Sequence, residues 1–328
     1  MGSRSKGFLI ACLPAVLGVA LLVPVSSIAA PVLAPTYSGS YSLVSLGSVP
    51  GLPPLYGGLT FLDNNTLLIG GNANTAAGRL HTIDVVRDGS NQITGFSGTA
   101  TVFGSVGDFN DGGVVFGPDG VLFTAQWPVN MLGQTMPGST DEDRVDDLDP
   151  LGVVPSPGGL MFVPDSHPGA GELKLVSWAG GQWYTLDLAP DGSGTFDILS
   201  ATLETTIVGG PEGIAYVPLG SALFPNPSLL VSEYSAGNVA VYEVDANGDP
   251  IVATRATFIS GLTGAEGAVI DPLTGDFLFS TFGGGNQIIR VSGFEAPNPD
   301  GGEGPEPATF ALLGLGLTAS LWRRRRRP

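Results

Sequence analysis

Five short segments share one cadence, glycine followed by alternating apolar residues and then often proline or aspartate. They are GGLTFLD (57–63), GGVVFGPDG (112–120), GGLMFVPD (158–165), EGIAYVPLG (212–220) and EGAVIDPLTG (266–275). Their second glycines stand at 58, 113, 159, 213 and 267, spaced 55, 46, 54 and 54 residues apart. Self-similarity at this period commits a chain to building one supersecondary unit several times and burying each copy against its neighbours.

The clearest copy runs EGIAYVP, SLLVSEY (228–234), GNVAVYEVDANGDP (237–250) and IVATRATFISGL (251–262), four strand-like runs separated by turn residues. The fifth copy supplies EGAVIDP, DFLFSTF (276–282) and NQIIRVSGF (286–294), then stops one strand short, while GSYSLVSLGSVPGL (39–52) precedes the first copy. Four strands per repeat, with the last blade completed from the N-terminal side, predicts an all-β fold: a β-propeller over 37–294, of five blades closed by an N-terminal strand. A sixth blade would have to come from the irregular stretch 127–154, and a two-sheet sandwich is the other way to arrange such strands. Composition agrees, because 50 glycines and 27 prolines in 328 residues favour short strands and tight turns over helices. The G-φ-x-φ-x-P and G-x-L-φ-φ-S cadence resembles that of the NHL, YVTN and gluconolactonase-like propellers, a likeness of architecture that specifies no activity.

The two ends are of a different character. Residues 1–29 have a basic start (Arg4, Lys6), an apolar run over 7–25 and small residues before Ala30, the layout of a signal peptide cut after Ala29. That layout predicts export through the Sec translocon and signal peptidase, and it removes Cys12, the one cysteine, from the mature chain. At the other end, a polar linker (295–304) leads into Pro305-Glu306-Pro307, a 15-residue apolar segment (308–322) and five arginines, Arg323, Arg324, Arg325, Arg326 and Arg327. The arginines predict a cytoplasmic stop for a short, transient membrane helix. This three-part order resembles the PEP-CTERM sorting signal of Gram-negative bacteria. The resemblance implies cleavage near Pro305, Glu306 and Pro307 by an exosortase, a membrane-embedded cysteine transpeptidase, after an inner-membrane intermediate. It further implies delivery to the cell surface or exterior, in association with exopolysaccharide or proteins of a biofilm matrix.

Between the two signals, six basic residues face 29 acidic ones, a net charge of −23, which repels nucleic acid. No catalytic residue is assigned. His81 sits in a strand pattern and His167 in a loop, neither in a nucleophile motif. The residues just ahead of the second glycines are Gly57, Gly112, Gly158, Glu212 and Glu266, positions that line one end of a propeller axis, with Asp111 adjacent. Glu212, Glu266 and Asp111 are therefore the candidate ligand-binding residues, for a sugar or a divalent cation such as Ca2+, the one cofactor the chain suggests. A metal-dependent lactonase or lyase is the competing reading, and the three glycines weaken it. DANGD (245–249) lacks the later ligands of a calcium loop and reads as a hairpin turn. The acidic run DEDRVDDLDP (141–150) reads as a solvated loop between the second and third blades. Trp127, Trp178, Trp183, Tyr184 and Tyr234 are candidates either for stacking on sugars at a mouth or for core packing.

Overall fold

A computed structural model describes residues 1–2 and 30–297, and these form a five-bladed β-propeller. Each blade is an antiparallel sheet whose first strand lies innermost. The inner strands are Leu59–Asp63, Asn110–Phe116, Pro157–Phe162, Pro211–Tyr216 and Ala265–Ile270. The second strands are Thr66–Gly71, Leu122–Gln126, Leu173–Ser177, Ser228–Glu233 and Phe277–Thr281. Burial explains the sequence pattern: Pro211–Tyr216 and Ser228–Glu233 are buried at every residue, as strands covered on both faces must be. The outermost strands Ile93–Val102 and Phe196–Thr206 are instead exposed or half-buried at every residue after the first.

Closure follows the expected route. Ser42–Gly47 is the fourth strand of blade 5, pairing Leu43 with Val291 and Val44 with Arg290. One further strand was not foreseen: Val32–Leu33 pairs with Ile259 and Ser260, adding a fifth strand to blade 4 ahead of the expected boundary at residue 37. The inner strands meet around the axis through the repeat glycines. The Gly58 N–H donates to the Asp111 carbonyl at 2.7 Å, and Ser280 Oγ donates to the Gly57 carbonyl at 2.6 Å, joining blades 1, 2 and 5. A Cβ at Gly267 would stand 2.5 Å from the Gly58 Cα, so only glycine lets the last blade close on the first.

The cores lie between blades. Tyr41, Phe224, Phe258, Phe277 and Phe294 pack at the junction of blades 4 and 5, and Trp183, Ile214, Val231 and Tyr242 at that of blades 3 and 4. Each such side chain contributes about 1.5–3 kcal/mol by leaving water. Buried ion pairs cross two of the junctions, Arg87 with Asp271 at 2.7 Å and Lys174 with Asp249 at 2.7 Å.

One alternative falls away and one expectation needs correction. The stretch 127–154 holds no sixth blade; Met131–Thr135 and Arg144–Asp147 are the third and fourth strands of blade 2. These strands have five and four residues, against nine and ten for their counterparts in blade 1. The acidic run is accordingly a sheet edge rather than a connecting loop. Its charge is managed by Arg144, which pairs with Asp146, Asp191 and Asp197 and so links this edge to blade 3.

Candidate functional site

Asp111, Glu212 and Glu266 converge at one end of the axis. Each lies at a β-bulge: the ladder register shifts between Asn110 and Val114, between Pro211 and Ile214, and between Ala265 and Ala268. A bulge re-aims side chains, and here one carboxylate oxygen from each of blades 2, 4 and 5 comes within 4.8 Å of the other two. The three residues are 1%, 5% and 1% exposed.

The glycines at the matched positions make this convergence feasible. A methyl group at Gly158 would overlap Glu212 Oε2, and one at Gly112 would stand 3.1 Å from the Glu212 carbonyl. What the sequence suggested were gaps in a ligand set are the spaces into which the neighbouring side chains fit. Asn74, with its amide oriented to suit its neighbours, donates to Asp111 Oδ1 at 3.0 Å and to the Asn110 carbonyl at 3.1 Å. Asp111 Oδ2, Glu212 Oε2 and Glu266 Oε1 find no donor outside the three acids themselves.

Electrostatics follow from this crowding. Burial pushes the Asp111 carboxyl up to about 7, against the Glu266 and Asn74 hydrogen bonds that pull it down. Glu212 rises well above the usual carboxylate range through burial and then the Asp111 charge, and Glu266 through burial and then the charges of Glu212 and Asp111. All three carboxyls are thus shifted toward the protonated form by burial and by one another, and as a donor set they are all oxygen, the kind that hard cations take.

A second feature lies at the same end of the axis. Trp127, Trp178, Tyr234 and Phe282 each follow the last residue of a second strand, in blades 2, 3, 4 and 5, and Asn72 holds that place in blade 1. Their backbone N–H groups hold them in the same way, donating to the carbonyls of Phe109, Ser156, Gly210, Gly264 and Pro54 at 2.8–3.0 Å. The result is an arc of partly exposed rings with centroids 6.4, 6.3 and 6.1 Å apart in blade order. Trp178 Nε1 donates to Ser235 Oγ at 3.1 Å. Tyr234 joins the arc to the acids, since its hydroxyl pKa is raised by burial and then by the charges of Glu266, Glu212 and Asp111.

The structure thus divides the candidate aromatics. Trp183 is fully buried between blades, donating to Asp249 Oδ1 at 2.8 Å, and Tyr184 is buried with its hydroxyl accepting the Val154 N–H at 3.1 Å. Both are core residues. Phe282 and Asn74 were missed; Phe282 was visible as the aromatic ending FLFSTF, in register with LFTAQW, LKLVSW and LLVSEY. The histidines are packing residues, with His81 Nδ1 3.0 Å from the Arg79 carbonyl and His167 Nε2 3.0 Å from that of Val217. In DANGD, Asp245 accepts the N–H groups of Asn247 and Asp249 as a turn residue does. Ala29, Pro305, Glu306, Pro307 and Arg323 to Arg327 lie outside the described residues, while Ala30 begins the described stretch 30–297. Among the described residues no helix is long and apolar enough to cross a membrane, and the apolar segment 308–322 is not one of them.

Comparison with known proteins found no match among curated proteins. Similar solved structures include a calcium-containing carbohydrate-active enzyme of family AA12 from Trichoderma reesei, 11% identical over 80% of this chain and 97% of that one, TM-score 0.49. A putative oxidoreductase (glucose dehydrogenase) from Thermus thermophilus is 13% identical over 76% and 99%, TM-score 0.43. An auxiliary nutrient binding protein from Bacteroides ovatus is 10% identical over 77% and 76%, TM-score 0.42. Likeness at this level assigns no chemistry, and the blade count rests on the strand order itself. Residues 305–327 match the model of the PEP-CTERM protein-sorting motif. The chain therefore carries a PEP-CTERM sorting motif behind a five-bladed propeller, and that motif implies a membrane-anchored intermediate and exosortase-dependent export to the cell surface.

Proposed function

We propose that the exported chain is a non-enzymatic binding protein of the cell surface, and that its ligand is a polysaccharide of the extracellular matrix held against the arc of Trp127, Trp178, Tyr234 and Phe282. The observation that carries this reading is the repetition of an aromatic at one structural position in four consecutive blades. Core packing demands no such repetition, and Trp183 and Tyr184 serve the core elsewhere. Partly exposed aromatic rings in a row offer flat apolar faces with polar edges, which suits the alternating apolar and hydroxyl surface of sugar rings. The sorting motif supports a ligand outside the cell.

The competing reading, a metal-dependent lactonase or lyase, draws support from the raised carboxyl pKa values on the axis. Against it stands the burial of all three acids, which leaves them little surface for a substrate to touch. Incubating the exported protein with matrix polysaccharide and with a lactone panel, each with and without divalent cations, separates the two. Saturable polysaccharide binding without turnover is expected. Turnover that Glu212→Gln abolishes would replace the binding reading with the enzymatic one.

A further inference from the structure

We propose that Asp111, Glu212 and Glu266 form a site for one hard divalent cation, Ca2+ in preference to Mg2+, which ties the inner strands of blades 2, 4 and 5 together on the axis. This inference stands apart from the polysaccharide reading and rests on different residues.

Three carboxyls buried face to face can ionise together only with positive charge among them, and the protein does not supply it. All six basic residues of the propeller are committed to acids elsewhere: Arg79 to Asp108, Arg87 to Asp271, Arg144 to Asp146, Lys174 to Asp249, Arg255 to Glu233 and Arg290 to Asp276. None of them faces the cluster among the described residues. Each carboxyl also keeps one buried oxygen, Asp111 Oδ2, Glu212 Oε2 and Glu266 Oε1, with no donor outside the three acids. Three such orphans from three blades, in side chains at least nine-tenths buried, point to a ligand that brings charge without bulk.

Size and donor type narrow the choice. The three ligand oxygens all lie within 4.8 Å of one another, close enough to share one ion. Mg2+ demands a near-octahedral set and retains several waters, for which a cluster this buried leaves little room, whereas Ca2+ accepts irregular all-oxygen sets. The donors are all carboxylate oxygen, with no histidine or cysteine, which disfavours zinc and copper. Gly158 and Gly112 provide the space that holds Glu212 in place, and Asn74 fixes the second oxygen of Asp111. Outside the cell a site with affinity of about 10⁻⁴ to 10⁻³ M suffices, the range of extracellular calcium modules.

The test uses residues 30–297, which contain every strand of the closed ring, stripped with EDTA and titrated with CaCl2, MgCl2 and TbCl3. Ca2+ at about a hundred-fold excess over Kd is expected to raise Tm by roughly 5–10 °C. Tb3+ bound at the cluster is expected to emit when Tyr234 and its neighbouring tryptophans are excited, and Ca2+ is expected to displace it. Glu212→Gln and Glu266→Gln should lose both responses while melting in EDTA no lower than wild type, because each replaces a buried acid with a neutral side chain of the same shape. That last result separates a cation site from a merely structural cluster, whose disruption would lower Tm in EDTA. A wild-type Tm indifferent to Ca2+ together with no sensitised Tb3+ emission would overturn the site. Glutamine variants that retain the full response would move it elsewhere, and an equal Mg2+ shift would overturn the preference for Ca2+.

Discussion

Lys174 shows how tightly this protein commits its few cations. Its ammonium has no exposed surface and lies 2.7 Å from Asp249, 2.7 Å from Glu172 and 2.8 Å from Thr185 Oγ1, so all three of its hydrogens have acceptors. Lys174→Met keeps the length of the stem but leaves Asp249 charged and buried at the junction of blades 3 and 4. It should cost about 3–5 kcal/mol in urea unfolding, and the double variant with Asp249→Asn should recover part of that loss. Asp276 gives a pH signature. Burial holds its carboxyl up to about 6, so between about pH 4 and 6 the folded state keeps a proton that the unfolded chain has released. Its contribution to stability is complete below about pH 4 and is lost as pH rises to about 6, and Asp276→Asn should flatten that part of the stability profile. At this scale the sequence was partly legible. Matching the repeats picked out Glu212 and Glu266, with Asp111 beside them, because a propeller puts equivalent positions around one axis. It could not show that bulges turn the three together or that Asn74 reaches them, since both depend on contacts between blades. Nor could it show that Asp249, two residues past the tip of an ordinary-looking turn, reaches inward to a lysine 75 residues earlier in the sequence.

Among the elements, the strand of closure matters most. Ser42–Gly47 completes blade 5, and Tyr37 and Tyr41 just before it pack with Phe224, Phe258 and Phe294. Val32–Leu33 adds only two residues to the edge of blade 4. Removing residues 30–35 should therefore lower Tm by only a few degrees, whereas removal through residue 47 should abolish the single cooperative transition by leaving blade 5 with an open edge. A melt followed by circular dichroism checks both outcomes. The inner strands could be read from sequence because burial on both faces demands continuous apolar residues. The outer strands of blade 2 could not: RVDD carries three charges in four residues and looks solvated until Arg144 is seen to bridge to Asp191 and Asp197 in blade 3.

For the whole molecule, setting the two terminal signals apart leaves a strongly acidic propeller with one end unlike the rest, where an aromatic arc from four blades adjoins an acidic axis. Five blades were legible because one strand cadence recurs five times, and the address was legible because its three parts fall in order within the last 24 residues. The arc was only half legible, since the candidate aromatics divide between mouth and core by their place in the blade rather than by residue type. The most direct test of the binding account is a calorimetric titration of matrix polysaccharide into residues 30–297, wild type against Trp127→Ala/Trp178→Ala. If the arc is the binding face, losing two adjacent rings weakens binding by about tenfold or more with Tm nearly unchanged. Equal affinity of the two proteins would contradict the account.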